Sequence, residues 1–372
     1  MKRLARKSIL EIKPYKPGKP IEEVKRELGL REIIKLASNE NTLGPSSRTI
    51  KALRDYLPKI YLYPEDSCFY LKKELAKRLK VKMENLIMGN GSDEIMELIP
   101  KTFLNPGEEV IYGHPSFLIY EIVTKIMGGK PVPISLKDYT YDLKGIVMAI
   151  TRKTKIIFVC NPNNPTGTMV SEEEIRAFLK RVPERIIVVL DEAYKDYVER
   201  RDFPNSIGLL KEYKNIIILR TFAKIYGLAG LRIGYGIARE EVIDLLSKVR
   251  LPFNVNSLAQ AAALASLKDK EQVKKTRRMN REGKRFLYAA FESLGLEYIP
   301  TQTNFILINL SPACSGTRRS GEKICRELLI KGIIIREMSA WGLNNYIRVT
   351  IGREEENKKF IQALRKALEV MR

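Results

Sequence analysis

Short apolar runs alternate with amphipathic stretches through the middle of the chain. Candidate strands lie at 110–112, 155–160, 185–190 and 215–220, and helical periodicity fills 116–127 and 171–181 between them. Ile/Val runs without polar alternation predict strands buried on both faces, and intervening helices predict crossovers. Together these give a mostly parallel sheet. Farther along, a long helical period covers 271–294, followed by strands near 304–310, 332–336 and 346–351 and a last helix from Glu354. That mixture predicts a smaller α/β unit. At the other end, Pro14, Pro17, Gly18 and Pro20 predict an extended arm and a short helix. The expected division is an arm over 1–35, a large domain over 36–265 and a small domain over 266–372.

Charge changes this picture more than composition does. Basic residues number 66 against 44 acidic, a formal +22. Nucleic-acid binding, steering of anionic substrates and a heat-adapted Lys/Glu surface all produce such a balance. The cations are interleaved with Glu along the whole chain, without zinc-finger spacing or an aromatic RNA-binding motif, so no nucleic-acid partner is expected. No apolar run has membrane-spanning length. The basic N-terminus meets Glu11 and Lys13 rather than an apolar segment, so a secretory signal is not expected either. Cys68, Cys160, Cys314 and Cys325 form no CxxC pair, and His114 is the lone histidine. They read as buried thiols in a reducing cytoplasm, with no metal expected and His114 structural.

Candidate chemistry sits in separated motifs. Gly89-Asn-Gly-Ser-Asp-Glu-Ile is a glycine-rich turn opening a helix. It is either a simple turn with a cap or a phosphate cradle made by helix N-terminal amides. Asn161-Pro-Asn-Asn-Pro-Thr-Gly-Thr follows a buried strand, where open α/β sheets bind ligands; it is either a rigid turn or a frame that aims an asparagine amide. Leu190-Asp-Glu-Ala-Tyr also ends a strand. Asp191 there either caps the next helix or pairs with a pyridine nitrogen, with Tyr194 able to donate to a ring phenolate. In Arg220-Thr-Phe-Ala-Lys-Ile-Tyr-Gly-Leu-Ala-Gly-Leu-Arg, Lys224 lies just past a strand, placed to form an imine with an aldehyde. Arg232 would supply a guanidinium for a phosphate, and Thr221 a hydroxyl. Arg348, inside the apolar run Tyr346-Ile-Arg-Val-Thr-Ile-Gly, needs an anion, either a substrate group or a protein carboxylate.

Taken together these motifs resemble a fold-type I aminotransferase, and more closely the histidinol-phosphate aminotransferases. Pro14-Tyr-Lys-Pro-Gly-Lys-Pro, Leu36-Ala-Ser-Asn-Glu-Asn, Arg250-Leu-Pro-Phe-Asn-Val-Asn and Arg348-Val-Thr-Ile-Gly-Arg carry the closer likeness, from about residue 12 to 360. The resemblance implies an α/β fold with a mostly parallel seven-stranded sheet, a smaller C-terminal α/β domain and an N-terminal arm. Pyridoxal 5'-phosphate would be held as a Schiff base on Lys224, which also moves the proton. Asp191 would meet the ring nitrogen, Asn164 and Tyr194 the ring oxygen, and Phe117 the ring face. Gly91, Ser92, Asp93, Thr221 and Arg232 would surround the phosphate. Tyr63 would reach the cofactor phosphate of a neighbouring subunit, making a homodimer. Arg348, with Arg336 as a second contact and Asn41 nearby, would bind substrate. The implied reaction is amino transfer between L-histidinol phosphate and 2-oxoglutarate, giving imidazole acetol phosphate and L-glutamate in histidine biosynthesis. The rivals are an aromatic amino-acid aminotransferase and a threonine-phosphate decarboxylase. One departure stands out: Ala223 precedes the lysine where the family usually has serine.

Overall fold

The computed structural model describes residues 2–312 and 320–371. β1 (Ile34–Lys35) is a two-residue strand, and the large sheet follows it. That sheet contains β2 (Leu86–Asn90), β3 (Glu109–His114), β4 (Lys130–Ser135), β5 (Thr154–Cys160), β6 (Ile187–Asp191), β7 (Ile216–Thr221) and β8 (Ile233–Ile237). Its order is β2-β8-β7-β6-β5-β3-β4. Only β8 runs against its neighbours, so the sheet is mostly parallel. Every residue of β6, β7 and β8 is buried, as the unbroken Ile/Val runs of β6 and β7 require.

The small sheet follows. β9 (Glu297–Ile299) and β10 (Phe305–Asn309) precede β11 (Ile333–Ile334), β12 (Arg336–Glu337) and β13 (Tyr346–Thr350). Four of them form an antiparallel sheet in the order β12-β13-β10-β9, while β11 pairs in parallel with β1. The expected strand at 332–336 is thus split, one part serving β1 and the other β13. Helices Lys270–Ser293 and Glu354–Met371 cover this sheet and bring Leu287, Phe291, Phe360 and Leu364 to its core. Leu36 joins that core, while a larger and separate one encloses the big sheet. In the arm, helix Ile21–Leu28 packs Val24 against Ala37 and Ile334.

No helix among the described residues is long and apolar enough to cross a membrane. Cys68 and Cys160 are buried and Cys325 partly so; Cys314, with most of the polar stretch 311–321 read as a loop of its own, lies outside the described residues.

Candidate active site

The parallel strands β5, β6 and β7 end side by side, and their carboxyl ends floor a cavity of about 140 Å³. Asn164 arrives from the β5 turn, Asp191 closes β6 with Tyr194 three residues on, and Thr221 closes β7 ahead of Lys224. Phe117 enters beyond β3, and helix Gly91–Phe103 brings Ser92 and Asp93. Arg336 and Arg348, a cross-strand pair on β12 and β13, close the cavity from the small sheet.

Asp191 is 2% exposed, and burial raises its pKa to about 6. Tyr120 donates to its Oδ2 at 2.7 Å and the Ala193 N–H to its Oδ1 at 3.2 Å, and both bonds favour the carboxylate. Tyr120 itself is locked between a stacked Phe158, 4.5 Å away, and an edge contact with Phe117 at 5.8 Å. A carboxylate so oriented and so poorly hydrated is stabilised by a cation placed against it.

Lys224 Nζ lies 5.5 Å from the centre of the Tyr194 ring. Burial, then the Arg348 cation, lowers its pKa to about 8, so a free amine is within reach near neutral pH. The sign for folding follows. Its ordinary value is 10.5, so between about 8 and 10.5 the unfolded chain holds more protons on this group than the folded one. The stabilisation is complete above 10.5 and is lost as pH falls through 8. Urea unfolding of the cofactor-free protein should show a gain of about 1–3 kcal/mol between pH 7.5 and 10.5 that Lys224→Met lacks. Equal pH slopes in the two proteins would contradict it.

Arg348 is 5% exposed and faces the rings of Phe305 and Trp341 at 5.0 and 5.9 Å. Its Nη1 donates to Asn164 Oδ1 and its Nη2 to the Ala37 carbonyl at 3.0 Å. Arg336 Nη2 donates to the Lys16 carbonyl at 2.6 Å, with Trp341 at 5.2 Å and Tyr15 at 5.5 Å. The Nε atoms of both arginines are buried without a partner. No ion pair joins either arginine to a carboxylate among the described residues. Two buried guanidiniums held by carbonyls and aromatic faces make a site for an anion that comes from outside the chain.

At the opposite end Arg232 is held by Asp93, Nη2 to Oδ2 at 3.0 Å. Gly91, at φ +78°, lies directly beneath it, and a Cβ there would come within 2.5 Å of Nη2. Gly234 permits a similar approach, because its Cβ would meet Ser92 N at 2.5 Å. The N-cap residue Asn90 makes no side-chain cap on helix Gly91–Phe103, and Glu94 takes only the Asn90 N–H, at 2.6 Å, which leaves the helix's own first amides for an anion. Asp93 lines the cavity and holds Arg232 at this end.

Asn41 does not line the cavity, and Tyr63, expected at a neighbouring subunit's cofactor, lies outside its own chain's. Asn41 is committed to the frame: its Nδ2 donates to the Ile225 carbonyl at 2.9 Å and to Thr276 Oγ1 at 3.2 Å, and its Oδ1 accepts from Leu43 N. Asn39, two residues earlier, is the asparagine that lines the cavity. Tyr63 is 80% exposed and stacks on Phe253 at 4.8 Å, outside its own chain's cavity. His114 is exposed at the end of β3 and does not line the cavity. Among the described residues no cluster of metal-ligand side chains occurs. Tyr120 and Cys160 had no signal in the sequence, since an aromatic in a helix and a thiol ending a strand both read as core.

Behind the floor, Glu192 and Arg220 form a buried ion pair at 2.8 Å, with the Ser206 hydroxyl also on Glu192. Glu192→Ala strands the guanidinium, and chemical denaturation should show a loss of about 3–5 kcal/mol. A loss under about 1 kcal/mol, the range of an exposed pair, would contradict the burial assigned here.

The model of the aminotransferase class I and II family matches residues 31–364. A histidinol-phosphate aminotransferase of Moorella thermoacetica is 51% identical over 364 residues, covering 98% of this chain and 92% of that protein. The chain belongs to the class I and II aminotransferases, in the histidinol-phosphate aminotransferase family. The family's fold recurs in the crystal structure of histidinol-phosphate aminotransferase from Sinorhizobium meliloti in complex with pyridoxal-5'-phosphate. That structure has a TM-score of 0.88 at 25% identity and covers 99% of this chain and 98% of its own. L-threonine-O-3-phosphate decarboxylase from Porphyromonas gingivalis shares it less closely, with a TM-score of 0.78 at 27% identity over 91% of this chain and all of that one. The aminotransferase cofactor is pyridoxal 5'-phosphate, and the cavity fits it. An uncapped helix end and Arg232 suit the phosphate, the buried carboxylate of Asp191 suits a protonated ring nitrogen, and Lys224 suits the aldehyde.

Proposed function

We propose that the protein transfers the amino group of L-histidinol phosphate to 2-oxoglutarate and catalyses the reverse reaction. The orphaned pair Arg336 and Arg348, facing Lys224 across one cavity, carries this reading. It suits substrates that share an anionic group remote from the reacting carbon: a phosphate in one half-reaction, a carboxylate in the other.

When bound, the cofactor supplies an electron sink for charge developing on the substrate's α-carbon. The residues do the rest. Asp191 keeps the ring nitrogen protonated. Asn164 and Tyr194 would hold the ring oxygen, while Phe117 would cover the ring face. Arg348 and Arg336 fix the far end of the substrate, so that its reacting carbon lies beside Lys224 Nζ. The Lys224 amine would take the proton from the substrate's α-carbon and hold it for delivery to the carbon that was the cofactor's aldehyde. The Arg348–Asn164 bond links substrate binding to the ring oxygen, since an anion on Arg348 competes with the amide for Nη1.

The same proposal includes a homodimer and a cytoplasmic setting. Ile60, Tyr61, Tyr63, Tyr70 and Leu251 are exposed apolar or aromatic side chains, which supports a second copy covering them with Tyr63 reaching across. The division into a large cofactor-binding domain over 36–265 and a small C-terminal domain over 266–372, with an arm over 1–35, draws support from the two separate cores, with Leu36 alone crossing into the small one.

Initial rates test the substrate. L-histidinol phosphate with 2-oxoglutarate should give the highest kcat/KM, phenylalanine and tyrosine lower ones, and O-phosphothreonine should release no carbon dioxide. A preference for the aromatic amino acids, or decarboxylation, would replace this assignment with one of its rivals.

Ala223 lines the cavity, its N–H bonded to Thr221 Oγ1 at 3.0 Å. Ala223→Ser adds a hydroxyl beside the phosphate end, and equilibrium dialysis should show about tenfold tighter cofactor binding, from the ~1–3 kcal/mol of a bond to a charged group. Unchanged affinity would mean that the hydroxyl turns away.

A further inference from the structure

Asn39 has no assigned part in the reaction, yet its geometry is unusually constrained. It is 2% exposed and lies at φ 56°, a left-handed conformation that asparagine tolerates better than most residues. The small sheet pins its segment. Thr350 N donates to the Leu36 carbonyl at 2.8 Å, Arg348 Nη2 to the Ala37 carbonyl at 3.0 Å, and Asn304 Nδ2 to the Asn39 carbonyl at 3.0 Å. The side chain then crosses to the other half of the cavity, where Nδ2 donates to Tyr194 Oη at 2.9 Å.

The direction of that bond is fixed from behind. Asn39 N–H donates to Thr350 Oγ1 at 2.9 Å, and the Thr350 hydroxyl donates onward to Asn39 Oδ1 at 3.4 Å. The amide oxygen therefore faces Thr350 and the NH₂ faces the phenol. A flipped amide would press NH₂ on a hydroxyl that already accepts a backbone N–H, and would leave that hydroxyl's own proton without this acceptor. With one lone pair of Tyr194 Oη occupied by a donor, the phenol proton must point elsewhere, and the open side is the cavity. Burial keeps the phenol protonated, its pKa pushed above the ordinary range.

We infer that Asn39, backed by Thr350, is a positioning residue that makes the Tyr194 hydroxyl a hydrogen-bond donor aimed at the cofactor's ring oxygen. The inference rests on the cofactor assignment above. A donor on that oxygen withdraws charge from the conjugated ring and lowers the proton affinity of the nitrogen joined to it through Lys224. The pH at which the holoenzyme's visible absorbance titrates therefore reports the bond. Arg348 on β13, Asp191 on β6, Cys160 on β5 and Lys224 also face Tyr194, and all remain in the variants below.

The test is a spectroscopic titration of wild type, Asn39→Gly, Tyr194→Phe and the double variant. Glycine accepts the φ of 56° without strain and removes only the amide. The midpoint should rise by about one pH unit in Asn39→Gly. It should rise also in Tyr194→Phe, and the double variant should move no further than Tyr194→Phe alone. Thr350→Val, which keeps the side-chain shape, should shift the midpoint in the same direction by less, and decides the matter if Asn39→Gly does not bind cofactor. An unmoved midpoint in Asn39→Gly, or an equal rise with and without the Tyr194 hydroxyl, would overturn the inference while leaving the cofactor assignment intact. No visible band in wild type would overturn both.

Discussion

Lys224→Ala should lower kcat by about 10⁴-fold, the upper range of what a positioned acid–base group contributes. The reason is local. Among the described residues Lys224 is the one lysine lining the cavity, its pKa already brought to about 8 by burial and by Arg348. The other candidates for moving the proton are unsuited. Burial holds Tyr194 protonated, Asp191 sits where the ring nitrogen would lie, and His114 is not among the lining residues. Cofactor binding should survive in weakened form, because Arg232, Asp191 and the uncapped helix end remain. Single-turnover kinetics with saturating cofactor separate loss of chemistry from loss of cofactor. Retention of more than about a tenth of the wild-type rate would mean that another group carries the proton.

Arg348→Met should separate function from stability. Binding of an anion to a buried, hydrogen-bonded guanidinium contributes about 2–5 kcal/mol, so kcat/KM for L-histidinol phosphate should fall by about 30- to 5000-fold. The fall should appear for 2-oxoglutarate too, since both substrates use the same cation. The folded protein, by contrast, should lose little. Burial and the neighbouring Arg336 hold the Arg348 pKa down at about 10, and among the described residues no carboxylate partner offsets its desolvation. Replacing such a charge with an unbranched apolar chain between Phe305 and Trp341 is expected to leave the melting temperature unchanged or raised. Thermal unfolding and initial rates together check this. A large drop in melting temperature with KM unchanged would make Arg348 a structural residue.

Sequence revealed the fold best where strands are buried on both faces. The Ile/Val runs of β5, β6 and β7 were found within one or two residues of their ends, because short, β-branched runs without polar alternation suit a strand buried on both faces. Other members of the large sheet were invisible for physical reasons. β4 carries Pro131 and Pro133, which an edge strand tolerates and which pattern reading takes for a loop. β8, Ile-Gly-Tyr-Gly-Ile, reads as a flexible stretch, yet its glycines are there so that the helix start and β2 can press against it. In the site, Lys224, Asp191 and Asn164 were legible because each ends a strand or follows one closely, and Arg232 because it stands eight residues past Lys224, immediately before β8. Asn39 and Asn41 were confused because both are buried asparagines in one short segment. Only the backbone turn at Asn39 decides which amide faces the cavity. Tyr120 could not be found at all, since its bond to Asp191 joins residues 71 apart in the chain.

The most direct measurement is the absorbance spectrum of the purified holoenzyme before and after L-histidinol phosphate is added without any keto acid. The visible band should collapse, and 2-oxoglutarate alone should then restore it. A band that ignores L-histidinol phosphate, or that collapses and cannot be restored by 2-oxoglutarate, would contradict amino transfer between these two substrates.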